Sequence, residues 1–362
     1  MTTAPSFQYL DLAQDYEIST SAGFAGWLAE HNTSLVFSNA LEHKLFLIGL
    51  KPDGRLSVQS RTFDRCMGLF SSDPQTLYMA TRYQIWRLEN GLPPGQTADE
   101  YDHLYLPRVA HTVGMVNLRD IAVEAGGRVV FANTRFGCLA TLSDQHSFVP
   151  LWIPPFLPGL LADDCCHLNG LALRDGRAAY VTSAATTAAP NAWREHRANG
   201  GVVVDVARNT IVAAGLSLPH SPRWYRQRLW LTNSGTGEFG TIDLDAGRFI
   251  PLTFAPGFLR GLCFVDDYAV VGSSKDRRGG SFGDLPLGDR LQKGKLEPWR
   301  GLYVVDLRTG AIDHWLRLEG VSGEIYDVVA LPGVRRPAAL DFETDQIQQS
   351  VTIGRMPNPR EA

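Results

Sequence analysis

The sequence has no apolar run of about 18 residues, so it offers no candidate for a membrane-spanning helix. Its first residues, Met1 to Ser6, have neither a basic start nor an apolar core, and no secretion signal is expected. Neither sign of charge dominates, because the formal net charge is only −4 over 362 residues. We therefore expect neither a nucleic acid nor a membrane surface as a partner.

Cysteine is rare as well. The chain has five, which is an odd number, and no pair has the Cys-x-x-Cys spacing. Cys165 and Cys166 are adjacent, which disfavours a disulfide between them. Because disulfides form mainly in oxidising compartments, we expect a reduced, cytoplasmic protein.

Signatures of several common chemistries are missing. There is no Ser-His-Asp signature, no glycine-rich phosphate loop and no dinucleotide fingerprint. Apolar residues seldom recur at the spacing of a helix, so very little helix is expected.

What the chain does contain is a repeat. A small residue, an apolar run, a short turn and a second apolar run recur seven times. The repeats begin at Gly26, Gly68, Asp120, Gly170, Pro222, Gly261 and Asp327. A third and a fourth strand follow in most copies, and four short strands per unit at this spacing are typical of a β-propeller. We predict an all-β fold with a single propeller domain over residues 1–362.

The spacing of the repeats favours seven blades, with six as the alternative if residues 327–340 only cap the ring. In the seven-blade interpretation, the N-terminal strands 7–12 and 16–20 complete the blade that begins at Asp327. Strands from both ends of the chain then close the ring, which removes the free sheet edges that invite aggregation.

The loop before the innermost strand of a blade lies on the same face as the loop between its second and third strands. This face collects most of the histidine, arginine, asparagine and acidic residues of the loops, and ligands bind where loops converge on a concavity. Two long segments, 183–200 and 273–300, carry Trp193 and Trp299. We expect them to fold over the channel mouth; the alternative is variable decoration.

Three histidines precede predicted innermost strands of consecutive blades: His111, His167 and His220. Their side chains are expected to converge near Asp120 and Asp327. Such a set suits one divalent metal ion, Zn, Cu, Fe or Ca, with the three histidines as ligands. The alternative is no cofactor, with the same five residues as the catalytic acid–base groups.

Arginine and amide side chains on this face are candidates for holding a substrate, because guanidinium groups present fixed donors that suit carboxylate and phosphate. The predicted substrate-binding residues are Asn133, Arg135, Asn169, Arg223, Asn233, Arg260, Glu324 and Trp193. In the alternative, Asp120, Glu324 and Asp327 simply pair with the arginines.

One string, Cys166-His-Leu-Asn-Gly-Leu-Ala172, contains an Asn-Gly-Leu-Ala element that resembles the calcium- or zinc-dependent lactonase propellers. That resemblance implies that Asn169 is a metal ligand.

A group of strings together resembles a family of uncharacterised bacterial proteins classed as a domain of unknown function. The strings occupy residues 130–142, 147–156, 166–172, 215–224, 256–262 and 324–327. The resemblance implies a propeller over most of the chain and assigns no activity. The family pattern near residue 119 reads His-Asp, whereas this chain has Arg119-Asp120. A metal set that uses that histidine would need His111 in its place.

Two classes of function follow. As an enzyme, the protein acts on a small polar or anionic molecule at the channel mouth by hydrolysis, isomerisation or cyclisation, with or without a metal. As a non-catalytic module, it binds a peptide or protein on the same face, and an apolar patch around Trp193 and Trp299 is exposed.

Overall fold

The structure is a computed structural model that describes residues 16–275, 282–320 and 323–354. Strands dominate these residues. In the first half of the chain they are β1 (Glu17–Thr20), β2 (Thr33–Asn39), β3 (Lys44–Leu50), β4 (Leu56–Thr62), β5 (Leu69–Asp73), β6 (Thr76–Ala80), β7 (Gln84–Asn90), β8 (His103–Thr112), β9 (Leu118–Val123), β10 (Val129–Asn133), β11 (Cys138–Thr141), β12 (Val149–Trp152) and β13 (Leu168–Arg174). In the second half they are β14 (Arg177–Ser183), β15 (Gly201–Asp205), β16 (Thr210–Leu216), β17 (Pro219–Tyr225), β18 (Arg228–Asn233), β19 (Glu238–Asp243), β20 (Arg248–Phe254), β21 (Phe258–Val265), β22 (Tyr268–Ser274), β23 (Gly301–Asp306), β24 (Ile312–Glu319), β25 (Ile325–Pro332) and β26 (Pro337–Ala339).

Helices are few, as predicted. The described residues contain two α-helices, α1 (Phe24–Glu30) and α2 (Pro286–Gly294). Short 3-10 turns occur at Ala192–His196, Ser234–Thr236 and Asp345–Gln349. Within the described ranges, no helix has the length and apolar character needed to span a bilayer.

In the part of the chain that the structure describes, the strands form six sheets, and each sheet is one blade of a propeller. From the innermost strand outward, the blades are β25-β2-β3-β4, β5-β6-β7-β8, β9-β10-β11-β12, β13-β14-β15-β16, β17-β18-β19-β20 and β21-β22-β23-β24, here called blades one to six. The favoured prediction of seven blades is therefore wrong. The alternative count of six is confirmed, although β25 forms the innermost strand of blade one and is not a cap on the ring.

The first and last repeats belong to the same blade. The apolar run that begins at Gly26 is not a strand but part of α1, which buries Phe24, Trp27 and Leu28 against blades one and six. Because these three side chains lie three and four residues apart, they share one helical face. The innermost strand of blade one is instead β25, which pairs with β2 in antiparallel register.

Both ends of the described chain join the ring, although not as the sequence predicts. β25 closes blade one, while β1 pairs antiparallel with β24 at the outer edge of blade six. β26 pairs in parallel with β8 at the outer edge of blade two. Residues 16–20 thus do not complete the blade that begins at Asp327, and residues 7–12 lie outside the described residues.

Side chains on the innermost strands tie neighbouring blades together around the channel. The backbone N–H of Leu69 donates to Asp327 Oδ2 at 2.9 Å, linking blade two to blade one. The N–H of Leu171 donates to Asp120 Oδ2 at 3.0 Å, linking blade four to blade three. The N–H of Gly261 donates in the same way to the hydroxyl of Ser221 in blade five. These ties fix the strand ends that carry the candidate site.

Candidate functional site

A cavity of about 760 Å³ opens on the face that the sequence predicts to be functional. Its lining includes residues just before β5, β9, β13, β17 and β25. Further lining comes from the two long segments, through Trp193 in one and Phe282 in the other. This cavity brings together five of the predicted site residues: His167, His220, Arg260, Glu324 and Trp193.

His167 lies at the wall of this cavity, one residue before β13. Its Nδ1 is 2.7 Å from Asp164 Oδ2, and its ring stacks on Trp193 with ring centres 3.9 Å apart. A carboxylate oxygen only accepts, so this contact assigns the proton to Nδ1 and the lone pair to Nε2. Burial, followed by the positive charge of Arg119, lowers the pKa of His167 to about 4.

His220, in β17, has the same tautomer for a different reason. Its Nδ1 lies 2.8 Å from the carbonyl oxygen of Leu218 and 3.0 Å from the hydroxyl oxygen of Ser234. A carbonyl only accepts, so Nε2 again keeps its lone pair. Burial, followed by the charge of Arg260, holds the pKa of His220 well below its usual range. Both imidazoles are therefore neutral at physiological pH.

Strained backbone gathers at this cavity. Five lining residues other than glycine have positive φ: Arg65, Asn117, Asp164, His167 and Leu218. Leu218, with a φ of 47°, is the apolar residue among these five, and its carbonyl orients His220. Such strain persists only where the surrounding structure holds it, and it clusters at functional sites.

The cavity lining has an excess of positive charge. The charged lining residues other than histidine are Arg65, Arg119, Arg194, Arg197, Arg260, Asp164, Asp284 and Glu324. Arg260 Nη1 lies 2.6 Å from Glu324 Oε2, and Arg197 forms an ion pair with Asp284. Arg119 has no carboxylate partner among the described residues, and its Nη1 donates to the hydroxyl of Tyr326 at 3.1 Å.

Unpartnered polar atoms are concentrated here. In the described ranges, ten buried side-chain nitrogen and oxygen atoms lack a hydrogen-bond partner. Five of the ten belong to cavity-lining residues: Arg119 Nε, Asp164 Oδ1, Trp193 Nε1, His220 Nε2 and Arg260 Nε. Because an unsatisfied buried polar group costs free energy, this concentration distinguishes the cavity from the rest of the described interior.

Asp120, Arg223 and Asp327 lie elsewhere, in a buried ion cluster among the innermost strands. Arg223 Nη1 is 2.7 Å from Asp120 Oδ2, and Arg223 Nη2 is 3.4 Å from Asp327 Oδ2. Burial, opposed by Arg223 and reinforced by Asp120, raises the pKa of Asp327 to about 7. None of the three lines the cavity, so the prediction that they share a site with the histidines is corrected. The alternative, in which these carboxylates pair with arginine, is what the structure shows.

His111 also lies apart, and its predicted place in a loop before an innermost strand is wrong. It belongs to β8, the fourth strand of blade two, where it is in register with Ile85. It lines a separate cavity between the outer parts of blades two and three. Its place could not be predicted, because β8 is ten residues long and runs through this position.

The predicted asparagines are used mainly to shape the backbone. Asn133 ends β10, and its Oδ1 accepts from the N–H of Phe136, which makes a tight turn. Asn233 ends β18, and its Oδ1 accepts from the N–H of Ser217. These two residues and Asn169 lie outside the cavity lining.

Arg135 and Trp299 are likewise not among the lining residues. The exposed guanidinium of Arg135 donates to the carbonyl oxygen of Met115 at 3.2 Å. Trp299 packs on Tyr303, with ring centres 4.3 Å apart, and Trp193 is only 6% exposed. Among the described residues, Trp193 is therefore buried and Trp299 is half-buried.

The described donor set does not fit the predicted metal site. No group of three or more histidine, cysteine, aspartate or glutamate residues in the described ranges is arranged to hold a metal ion. With His111 elsewhere, His167 and His220 are left as two imidazoles, whereas a catalytic zinc site uses three protein ligands. Asn169, implied as a ligand by the lactonase resemblance, accepts a hydrogen bond from Thr182 at its Oδ1.

All five cysteines are free thiols. Cys166 is buried, and burial raises its pKa to about 11. This thiol is therefore protonated at neutral pH and is not a nucleophile or a thiolate ligand there.

Several cavity residues were not among the predicted site residues. Asp164 and Arg65 lie in loops and Arg119 lies near the start of β9, all on the cavity face, but nothing in their spacing separates them from ordinary surface charges. Leu218 and Phe282 carry no chemical signal in the sequence. The positive φ of Leu218 makes its carbonyl a partner for His220, and only the folded backbone reveals it.

The chain can now be compared with known proteins. A protein-family model described as "Domain of unknown function (DUF4915)" matches residues 22–340. A search of the curated proteins finds no significant match.

Solved structures match this chain at low sequence identity. A chain of a nidogen/laminin complex has a TM-score of 0.52 at 12% identity, covering 83% of this chain and 99% of that chain. Virginiamycin B lyase from Staphylococcus aureus has a TM-score of 0.39 at 8% identity, covering 84% and 99%. A gluconolactonase from Xanthomonas campestris has a TM-score of 0.41 at 18% identity, covering 67% and 79%. The first similarity shows the fold alone, and the two enzymes are too distant to support an argument about activity.

Proposed function

We propose a function from the site itself, because the chain belongs to the Domain of unknown function (DUF4915) family, whose description names no activity. The protein is an enzyme that binds a small anionic molecule in the cavity and catalyses a proton transfer on it. His220 is the general base, His167 is a second proton carrier, and Arg119 holds the anion.

The pair of neutral imidazoles at one cavity is the observation that carries this proposal. Each has Nδ1 against an acceptor, so each offers a lone pair at Nε2. Nε2 of His220 is buried without a partner in the described structure, a costly arrangement for a residue with a purely structural role.

Binding of the anion makes the cavity imidazoles stronger bases. Beyond the effect of burial, Arg119 and Arg260 lower the pKa of both histidines. An anion beside these guanidinium groups offsets their charge and raises the imidazole pKa toward neutrality, where a general base is most effective. The base is therefore weak in the free protein and becomes competent in the complex.

A base beside cations suits reactions in which a proton leaves and negative charge develops. The imidazole takes a proton either from a carbon next to a carbonyl group or from a water molecule that attacks an ester-like bond. The guanidinium groups then stabilise the oxyanion that forms. Isomerisation, hydrolysis and cyclisation all include such a step, and none is assigned to a metal because the described donors do not form a metal site.

The test is proton exchange with solvent. The protein is incubated in D₂O with a panel of small carboxylic acids, esters and lactones, and ¹H NMR follows deuterium incorporation and product formation. For any substrate found, His220→Gln should lower the rate by about 10²- to 10⁴-fold, the usual contribution of a general base.

The matched control is His146→Gln, which removes an exposed histidine outside the cavity lining. It should keep the wild-type rate, and circular dichroism should show both variants folded. An activity that survives His220→Gln in the folded protein would show that this residue is not the base.

A further inference from the structure

One wall of the cavity is cationic and incompletely neutralised. The guanidinium carbons of Arg119 and Arg260 lie 5.7 and 4.8 Å from the ring centre of Tyr326. Of these two arginines, Arg260 pairs with Glu324, while Arg119 has no carboxylate partner among the described residues. Nε of both arginines is buried and unpartnered in the described structure. The guanidinium of Arg119 therefore gives this wall a positive charge that an external oxyanion can neutralise.

Another wall is apolar. It is formed by Leu218, Phe258, Phe282 and Leu285, all of which line the cavity and belong to one buried cluster. The rings of Phe258 and Phe282 are stacked, with centres 6.1 Å apart and planes 17° apart. Apolar residues of α2 pack behind this wall in the same cluster. The wall therefore offers a preformed surface for an aromatic or branched apolar group.

The candidate base stands where the two walls meet. The ring of His220 meets Phe258 edge-on, with centres 5.6 Å apart. The guanidinium of Arg260 lies 5.0 Å from the centre of the same phenyl ring. A molecule with an anionic end and an apolar body would span both walls and pass beside the imidazole.

We propose that the ligand is an amphipathic oxyanion, in which a carboxylate or phosphate group is joined to an aromatic or branched apolar body. The inference rests on the proposed function, because it names the substrate class of the same site. Five arginines and three carboxylates line the cavity, so one or two negative charges on the ligand balance the excess. The volume of about 760 Å³ suits a small molecule of this kind.

The experiment is equilibrium binding by isothermal titration calorimetry on the wild-type protein. Phenylacetate and phenyl phosphate present both parts of the ligand and distinguish carboxylate from phosphate. 2-Phenylethanol presents the body without the charge, while acetate and inorganic phosphate present the charge without the body. At least one aromatic anion should bind about ten-fold or more tightly than the alcohol and than its small counterpart.

Two variants test the two walls. Arg119→Gln should weaken binding of the aromatic anion about ten-fold or more and leave the alcohol unaffected. Phe282→Ala should weaken the aromatic anion but not acetate or inorganic phosphate. Arg248→Gln and Phe342→Ala, at exposed positions outside the cavity lining, are the matched controls and should leave binding unchanged.

The comparison among the five probes needs no variant, so it remains decisive even if Arg119→Gln fails to fold. Equal affinity for phenylacetate, phenyl phosphate and 2-phenylethanol, or no saturable binding of either anion, would overturn the inference. His220→Gln should still bind the aromatic anion. A protein that binds it but shows no histidine-dependent proton transfer would keep this inference and lose the proposed reaction.

Discussion

At the scale of single residues, the acceptor at Nδ1 determines what each cavity histidine can do. Asp164 and the carbonyl of Leu218 leave the Nε2 lone pairs of His167 and His220 available. The near-equivalent positions of these histidines in consecutive repeats predicted that they meet, and the structure places both at one cavity. Their tautomers could not be predicted, because they depend on loop backbone with positive φ.

The buried neutral state of His167 has a consequence for stability. Its pKa is about 4 in the folded protein, against an ordinary value of 6.5. Between these values the unfolded chain binds the proton more tightly, so the contribution to stability is complete above pH 6.5 and is lost as the pH falls toward 4. The loss amounts to at most about 3 kcal/mol for this residue. Urea unfolding of wild type and His167→Gln at pH 7.5 and 4.5 should show a smaller pH-dependent loss in the variant.

The control for this comparison is again His146→Gln. Because the imidazole of His146 is exposed, its removal should leave the pH dependence of the unfolding free energy the same as in wild type. The same loss of stability in His167→Gln as in wild type would show that His167 is not held neutral by burial.

At the scale of elements, the repeat unit could be predicted but the number of blades could not. An apolar run of a few residues is compatible with a buried strand or a buried helix, and periodicity over so short a run does not separate them. Phe24, Trp27 and Leu28 have helical spacing, and α1 packs them beside blade one. The innermost strand of blade one is β25, which lies about 300 residues later in the chain and pairs with β2. A pairing between such distant segments leaves no local signal in the sequence.

The recurrence of asparagine on the cavity face follows from its place at strand ends. Asn39, Asn133 and Asn233 each end the second strand of a blade, which gives them the appearance of a repeated binding motif. In the structure, each Oδ1 accepts a backbone N–H and so shapes the loop that follows or a loop nearby. A repeated polar residue in a propeller therefore indicates a repeated turn as readily as a ligand site.

At the scale of the whole molecule, the six blades are held around a charged centre. Asp327 and Asp120 accept backbone N–H groups from neighbouring blades, and Arg223 lies between the two carboxylates. The three residues belong to innermost strands of blades one, three and five. The sequence predicts Asp120 and Asp327 to be catalytic and Arg223 to bind substrate, because they fall near the loop face that carries the histidines; in the structure the three residues connect the blades of the ring.

Replacing Arg223 should therefore lower the free energy of unfolding of the whole propeller. Arg223→Met leaves two buried carboxylates without their partner, and breaking a buried pair in this way typically costs about 3–5 kcal/mol. Urea unfolding measures the change. Arg226→Met, which breaks the exposed pair with Asp267, is the matched control and should change stability by no more than about 0.5 kcal/mol. Equal stability of the two variants would mean that the central cluster does not hold the blades together.

The most direct test of the central claim is an NMR titration of the protein with ¹⁵N-labelled histidine, assigned with His167→Gln and His220→Gln. We expect both cavity imidazoles to remain neutral, protonated at Nδ1 and not at Nε2, from pH 8 down to pH 5. Titration of either ring near its ordinary pKa of 6.5, or a proton at Nε2, would contradict this expectation, because the lone pairs assigned to the base would then be absent.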